Sequence, residues 1–149
     1  MNDNVQIVPM MESDIDEVYK LGLRTKELQI DSEINMFYPP DYLKLAISNP
    51  HYVCLVAKVN NKLAGFRLAQ IDPELHESYL SDIVISPEFR GKGIGKMLFD
   101  KSIQILREKN ASEWVWALVE ENNHLMQEFI EKKGFTKGRK FYFYYKSQA

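Results

Sequence analysis

Between Ile83 and Lys96 the chain reads Ile-Val-Ile-Ser-Pro-Glu-Phe-Arg-Gly-Lys-Gly-Ile-Gly-Lys, an apolar strand turning into a basic, glycine-punctuated helix start. Glycines at 91, 93 and 95 remove the side chains that would hold a ligand away from the backbone. A helix beginning just after them aims unpaired N–H groups and a positive dipole end into the same space. Such a turn is built for an anion. With Arg90, Lys92 and Lys96 around it, the expected anion carries more than one charge, as a pyrophosphate does.

The elements that must position this loop follow from the patterning. Val5 to Val8 reads as a first strand. Ser13 with Asp16 three residues on resembles a capping box for a helix with Ile15, Val18, Tyr19 and Gly22 on one face. A second helix is expected after Pro39-Pro40, carrying Tyr42 to Ile47 and stopping near Asn49-Pro50. Gln29 to Tyr38, with Asp31, Glu33 and Met36, reads as irregular. Tyr52 to Val59 and Leu63 to Ile71 form a hairpin through Asn60-Asn61-Lys62. Ser78 to Ile85 is a further strand, and the helix after the glycines carries Ile94, Met97, Leu98, Ile105 and Leu106 on its apolar stripe. Trp114 to Val119 is a strand, and a helix starts at Asn122 or Asn123 and ends at Gly134. Lys140 to Lys146 is expected as a last strand, dense in aromatics.

The order is β-α-α-β-β-β-α-β-α-β. Strands 78–85 and 113–119, joined by a helix, should be parallel with a right-handed crossover, the others antiparallel. The expected fold is therefore α/β, a mixed sheet with helices on both faces. Its 149 residues, 45% of them hydrophobic, fit one domain over 1–149.

Composition narrows the function. A net charge of −2 argues against nucleic-acid binding through bulk electrostatics. One cysteine, Cys54 in the run Val-Cys-Leu-Val-Ala, excludes a disulfide framework and reads as a packed small hydrophobe. His51, His76 and His124 lack ligand spacing, so no metal site is expected. No run approaches the ~20 apolar residues of a membrane span, and the N-terminus lacks a leader pattern. The expectation is a cytoplasmic protein without membrane or nucleic-acid partners.

Two familiar phosphate motifs do not fit. A P-loop requires glycine and Ser or Thr where Arg90 and Met97 stand, and a dinucleotide fingerprint requires glycine or alanine at Leu98. Arg90-x-x-Gly93-x-Gly95 does match the Arg/Gln-x-x-Gly-x-Gly/Ala loop of the GCN5-related N-acetyltransferase (GNAT) family. The likeness extends to Asn123 and to Lys132-Lys133-Gly134-Phe135, and the element order agrees over nearly the whole chain.

The resemblance implies a GNAT-like fold with a splayed parallel strand pair and acetyl-CoA as acetyl donor. The amides of Arg90, Gly91, Lys92, Gly93, Ile94, Gly95 and Lys96 would hold its pyrophosphate. The backbone of Ile83, Val84 and Ile85, with Asn123, would bind the pantetheine arm. For the glycines the competing reading is a tight turn; for Asn123 it is ordinary helix capping. The acceptor would be an amine-bearing small molecule, protein or peptide, lined by Gln29 to Tyr38 and the C-terminal strand. Asp31, Glu33 and Asp82 would favour a cation. A homodimer is compatible with this reading.

The resemblance does not extend to the catalytic groups. Acetyl transfer needs a neutral nitrogen, a polarised carbonyl and a fate for the thiolate. The family's frequent tyrosine acid, seven residues after the Asn, is here Ile130, and the positions of two familiar glutamate bases are Leu118 and Ser81. Asp82 and Glu120 are the candidates for base or substrate anchor, with Glu121 beside the second. Tyr142, Tyr144 and Tyr145 are candidates for acid, although alternation on a half-buried strand explains them more simply. These gaps keep a rival open, a non-catalytic acyl-CoA-binding sensor or regulatory module.

Overall fold

The computed structural model describes residues 3–29, 37–109 and 113–149. The chain forms two compact units, 1–117 and 118–149.

In the first unit, Val5–Pro9 (β1), Tyr52–Val59 (β2), Lys62–Asp72 (β3), Glu77–Ile85 (β4) and Trp114–Trp116 (β5) make one sheet in the order β1-β2-β3-β4-β5. The first three pairings are antiparallel and β4 with β5 is parallel. Asn60 and Asn61, with φ of 50° and 66°, turn the β2–β3 hairpin, the conformation such two-residue loops require. The helices are Ile15–Leu23 (α1), Pro40–Ile47 (α2) and Ile94–Glu108 (α3).

α1 is held at its start differently from the expectation. The carboxylate of Asp14, not the side chain of Ser13, accepts the Met11 N–H at 2.8 Å, and Asp14 also pairs with Lys58 of β2 at 2.8 Å. Ile15, Val18, Leu21 and Gly22 are buried on the inner face of α1. Ile15, Val18 and Leu21 join Leu43 of α2 and Val56, Phe66, Leu68 and Val84 of the sheet in one core. Gly22 has a packing reason. A Cβ there would lie 2.2 Å from the Phe37 ring, so this ring rests on the α1 backbone and fixes where residues 37 and 38 enter α2.

α3 lies towards the opposite face of the sheet, burying Ile94, Leu98, Phe99, Ser102 and Leu106. Met97, expected in this stripe, is exposed, because Leu98 and Phe99 fill the inward arc. No helix among the described residues is long and apolar enough to cross a membrane.

The second unit carries His124–Lys132 (α4). Gly134, at φ 92°, ends it, and the Phe135 N–H donates back to Ile130 O. Lys140 to Lys146 forms no strand, and Phe141, Tyr142, Phe143 and Tyr144 are each at least 70% exposed. Aromatic alternation favours extended backbone, but a strand exists only where a partner ladder takes its N–H and C=O groups.

Candidate active site

β4 and β5 pair only through Glu77–Trp114, Ser78–Val115 and Tyr79–Trp116. From Leu80 onward β4 has no partner on that side among the described strands. The expected strand to Val119 stops at Trp116, and the parallel pair is parted as the resemblance implied.

Which backbone groups face the parting follows from the antiparallel ladder. The Ser86 N–H donates to Ala64 O at 2.8 Å. By alternation the groups of Val84 and Asp82 turn to β3, and those of Ile83 and Ile85 turn the other way. Ile85 O already accepts from Arg90 Nε at 3.1 Å, which ties the loop to the end of the strand. Val84 is thus occupied by the sheet, leaving Ile83 and the Ile85 N–H directed at the open side.

Beyond β4, Gly91 and Gly93 have φ of 76° and 79°, and a Cβ on either would meet nothing within 4 Å. The first intrahelical donor of α3 is Met97, to Gly93 O at 3.1 Å. Among the described residues no backbone partner takes the amides of Gly91 through Lys96. A run of unpaired N–H groups at a left-handed turn forms a concave anion cradle. Arg90, Lys92 and Lys96 are exposed around it. The Lys92 ammonium lies 5.6 Å from the Phe89 ring centroid and 3.4 Å from Asp3 Oδ2, so its charge is local to the loop without a tight partner.

Asp82 lies on the other side of the strand's chemistry. Leu68 pairs with Asp82 but Ala69 with Leu80, so Ser81 is an extra residue in β4 and forms a bulge. The Ser81 hydroxyl donates to Leu68 O at 2.9 Å. The bulge turns Asp82 to the face of Leu68 and Val84, under the start of α2. Burial pushes its carboxyl above the ordinary range, opposed by hydrogen bonding with the Tyr38 hydroxyl and by the charge of Arg67. Burial, reinforced by Asp82, also raises the Tyr38 hydroxyl. Arg67 is 2% exposed and extends over the Phe99 ring on the α3 face, and burial lowers its guanidinium to about 10. Its Nη1 reaches Asp82 O at 3.5 Å rather than the carboxylate.

Cys54 is a half-buried thiol raised to about 11 by desolvation, which suits packing rather than nucleophilic chemistry. Among the described residues no group of three or more His, Cys, Asp or Glu side chains could hold a metal ion.

In the second unit the Asn123 side chain accepts the Met126 N–H at 3.2 Å and so caps α4. Glu120 is exposed, and its carbonyl accepts from the Asn123 N–H and Gln127 Nε2. Lys140 holds Glu121 at 2.5 Å and lowers its carboxyl. Ile130 is buried. Tyr142, Tyr144 and Tyr145 lie outside any strand. Asp31 and Glu33 lie outside the described residues. Sequence reasoning missed the Ser81 bulge and the buried Arg67. The first leaves no mark in composition, and the second sits in an otherwise apolar strand where its charge is the one visible signal.

A mixed sheet parted beside a strand-to-helix anion cradle is the architecture of acyl-CoA-dependent N-acyltransferases. The chain belongs to the acetyltransferase (GNAT) family, whose model matches residues 15–135, and is an acetyl-transferring enzyme. It is 27% identical over 145 residues to a putative [ribosomal protein bS18]-alanine N-acetyltransferase of Bacillus subtilis, covering 96% of this chain and 89% of that one. In fold it resembles the PaiA N-acetyltransferase of Thermoplasma acidophilum in complex with coenzyme A. The TM-score is 0.78 at 23% identity, over 89% of this chain and 90% of that one. An aminoglycoside acetyltransferase from an uncultured soil metagenomic sample superposes with a TM-score of 0.77 at 18% identity, over 97% of each chain.

Proposed function

We propose that this protein transfers the acetyl group of acetyl-CoA to a primary amine of a small molecule or of a protein or peptide. The observation that carries the reading is the unpaired amide row from Gly91 to Lys96, set at positive-φ glycines beside the open side of β4. That row fits a pyrophosphate, with Arg90, Lys92 and Lys96 adding charge. Ile83 and Ile85 would take the amides of the pantetheine arm by strand-like pairing. Asn123 would offer its amide N–H₂, since its oxygen caps α4. The family match runs across both units, which supports one catalytic domain over 1–149.

The amine must lose a proton, the nitrogen forms a bond to the acetyl carbon, and the carbon–sulfur bond breaks to leave a thiolate that is then protonated. Asp82 is our candidate for the proton acceptor, because burial raises its carboxyl towards the range useful in a base. Glu120 is the alternative. A thiol with an ordinary pKa of about 8.5 leaves without a dedicated acid, which accommodates Ile130 where the family resemblance would place a tyrosine. The likeness to a putative [ribosomal protein bS18]-alanine N-acetyltransferase keeps a protein amine among the acceptors.

Thermal unfolding with acetyl-CoA, against ATP and NADH, tests the reading. A ligand at 100 times its dissociation constant adds about 2.7 kcal/mol. A shift specific to acetyl-CoA and lost in a folded Gly93→Glu protein, with thiol release on adding an amine, is expected. No shift at millimolar ligand would overturn it, and a shift without thiol release across an amine panel would favour the sensor.

A further inference from the structure

The strand register places four side chains in one row across the sheet. Tyr52 pairs with Gln70, Gln70 with Tyr79, and Tyr79 with Trp116. In the adjoining row Cys54 pairs with Leu68 and Leu68 with Asp82. Tyr79 and Asp82 are three residues apart and would face opposite ways on a regular strand. The extra residue at Ser81 brings both to the same face. Tyr38 and Tyr42, set by Phe37 on Gly22 and by the start of α2, cover this face from above.

The rings are ordered. Tyr38 stacks on Tyr42 at 4.8 Å and 16°, Tyr42 meets Tyr52 edge-on at 6.0 Å, and Tyr79 stacks on Trp116 at 4.3 Å. The polar groups of Tyr42, Tyr52 and Gln70 are engaged with one another. The Tyr42 hydroxyl donates to the Tyr52 oxygen at 3.2 Å and accepts from Gln70 Nε2 at 3.3 Å. What this surface offers a visitor is ring faces. The Asp82 carboxyl meets the Tyr38 hydroxyl, but its Oδ2 is buried and has no hydrogen-bond partner among the described residues. Its nearest buried cation, Arg67, belongs to the opposite face of the sheet and bonds the carbonyl oxygen. A carboxylate oxygen withdrawn from water without a partner is costly. A cation arriving between aromatic faces would restore the balance.

We infer that Tyr38, Tyr79 and Asp82 form the ammonium subsite of the acceptor, selecting a primary ammonium on a slender apolar stem over a polyhydroxylated one. The inference rests on the acetyltransferase reading above. Asp82 is the counter-ion and the rings flank the stem. A sugar amine would bring several hydroxyls to a surface made chiefly of ring faces, where the Tyr42, Tyr52 and Gln70 polar groups already bond one another.

The test uses the full chain saturated with acetyl-CoA or with CoA, and n-butylamine, n-butanol and kanamycin as probes. Butylamine should raise the unfolding temperature of the CoA complex and support thiol release from acetyl-CoA. Butanol should give no shift, and kanamycin should turn over at least tenfold less efficiently in kcat/KM. Asp82→Asn should lose the butylamine shift while keeping the acetyl-CoA shift, which also reports that it folds. Tyr79→Leu should raise the KM for butylamine about fivefold or more with a smaller change in kcat. Butylamine binding unaffected by either substitution, or a preference for kanamycin, would overturn the subsite while leaving the acetyltransferase reading intact. An absent acetyl-CoA shift in the wild type would instead overturn the reading beneath it.

Discussion

The loop glycines can be separated by replacing each with alanine. At Gly93, φ is +79° and a Cβ meets nothing within 4 Å. The whole cost of Gly93→Ala is therefore the left-handed backbone of a residue with a side chain, about 1–2 kcal/mol. At this chain length about 2–4 °C accompanies each kcal/mol, so the unfolding temperature should fall by about 2–8 °C. Gly95 differs, since its φ is not positive and a Cβ would touch Ile85 Cγ1 at an ordinary 3.7 Å. Gly95→Ala should leave stability unchanged or raise it by up to ~1 kcal/mol through helix propensity. Binding reads the same perturbation a second way. If Gly93→Ala relaxes the turn and misaligns the amides, a tenfold weaker affinity leaves about 1.4 of the 2.7 kcal/mol that acetyl-CoA adds at 100 times the wild-type dissociation constant. Urea unfolding with and without acetyl-CoA measures both quantities. Equal stability losses at 93 and 95, or none at 93, would refute the argument from backbone conformation.

Two further outcomes follow from single groups. The Asp82 carboxyl is raised on folding, so its contribution is complete below the unfolded value of about 3.9 and is lost as pH rises through the folded one. Asp82→Asn should therefore gain stability on the wild type between pH 3 and pH 7 in urea unfolding, and a constant difference would contradict the assigned burial. Asn123→Ala removes the hydrogen bond to the Met126 N–H and should cost about 1 kcal/mol, with faster amide exchange at the start of α4; unchanged exchange would show that the cap contributes nothing.

Most of the sheet was legible because its information is local. Alternating burial, the Asn-Asn turn and the proline before α2 each act within a few residues, so β2, β3, β4 and α3 lie where the pattern puts them. The left-handed turns of the loop were legible for the same reason, since glycines at 91 and 93 advertise a conformation other residues resist. The illegible parts depend on distant partners. β5 is cut to Trp114–Trp116 and residues 140–146 form no strand, because whether an extended segment becomes a strand is decided by what stands beside it. The Ser81 bulge was equally hidden. It is a mismatch between two strands, visible only when Leu68 and Ala69 are paired with their partners, and it decides which way Asp82 points. The bond from the Met11 N–H back to the Asp14 carboxylate was missed in favour of Ser13, one residue away, where local rules give both residues the same chemistry.

The brevity of the β4–β5 ladder bears on how the protein keeps its own company. Past Tyr79, the segment Leu80 to Ile85 of β4, apolar except at Ser81 and Asp82, has outward amides that no described strand of the sheet engages. Bare edges of this kind invite strand addition by a second molecule. A bound pantetheine arm, itself a chain of amides, would act as a guard on that edge. Protein stored without acetyl-CoA should then self-associate sooner than protein stored with it, so that the donor would protect the enzyme's solubility as well as supply its chemistry.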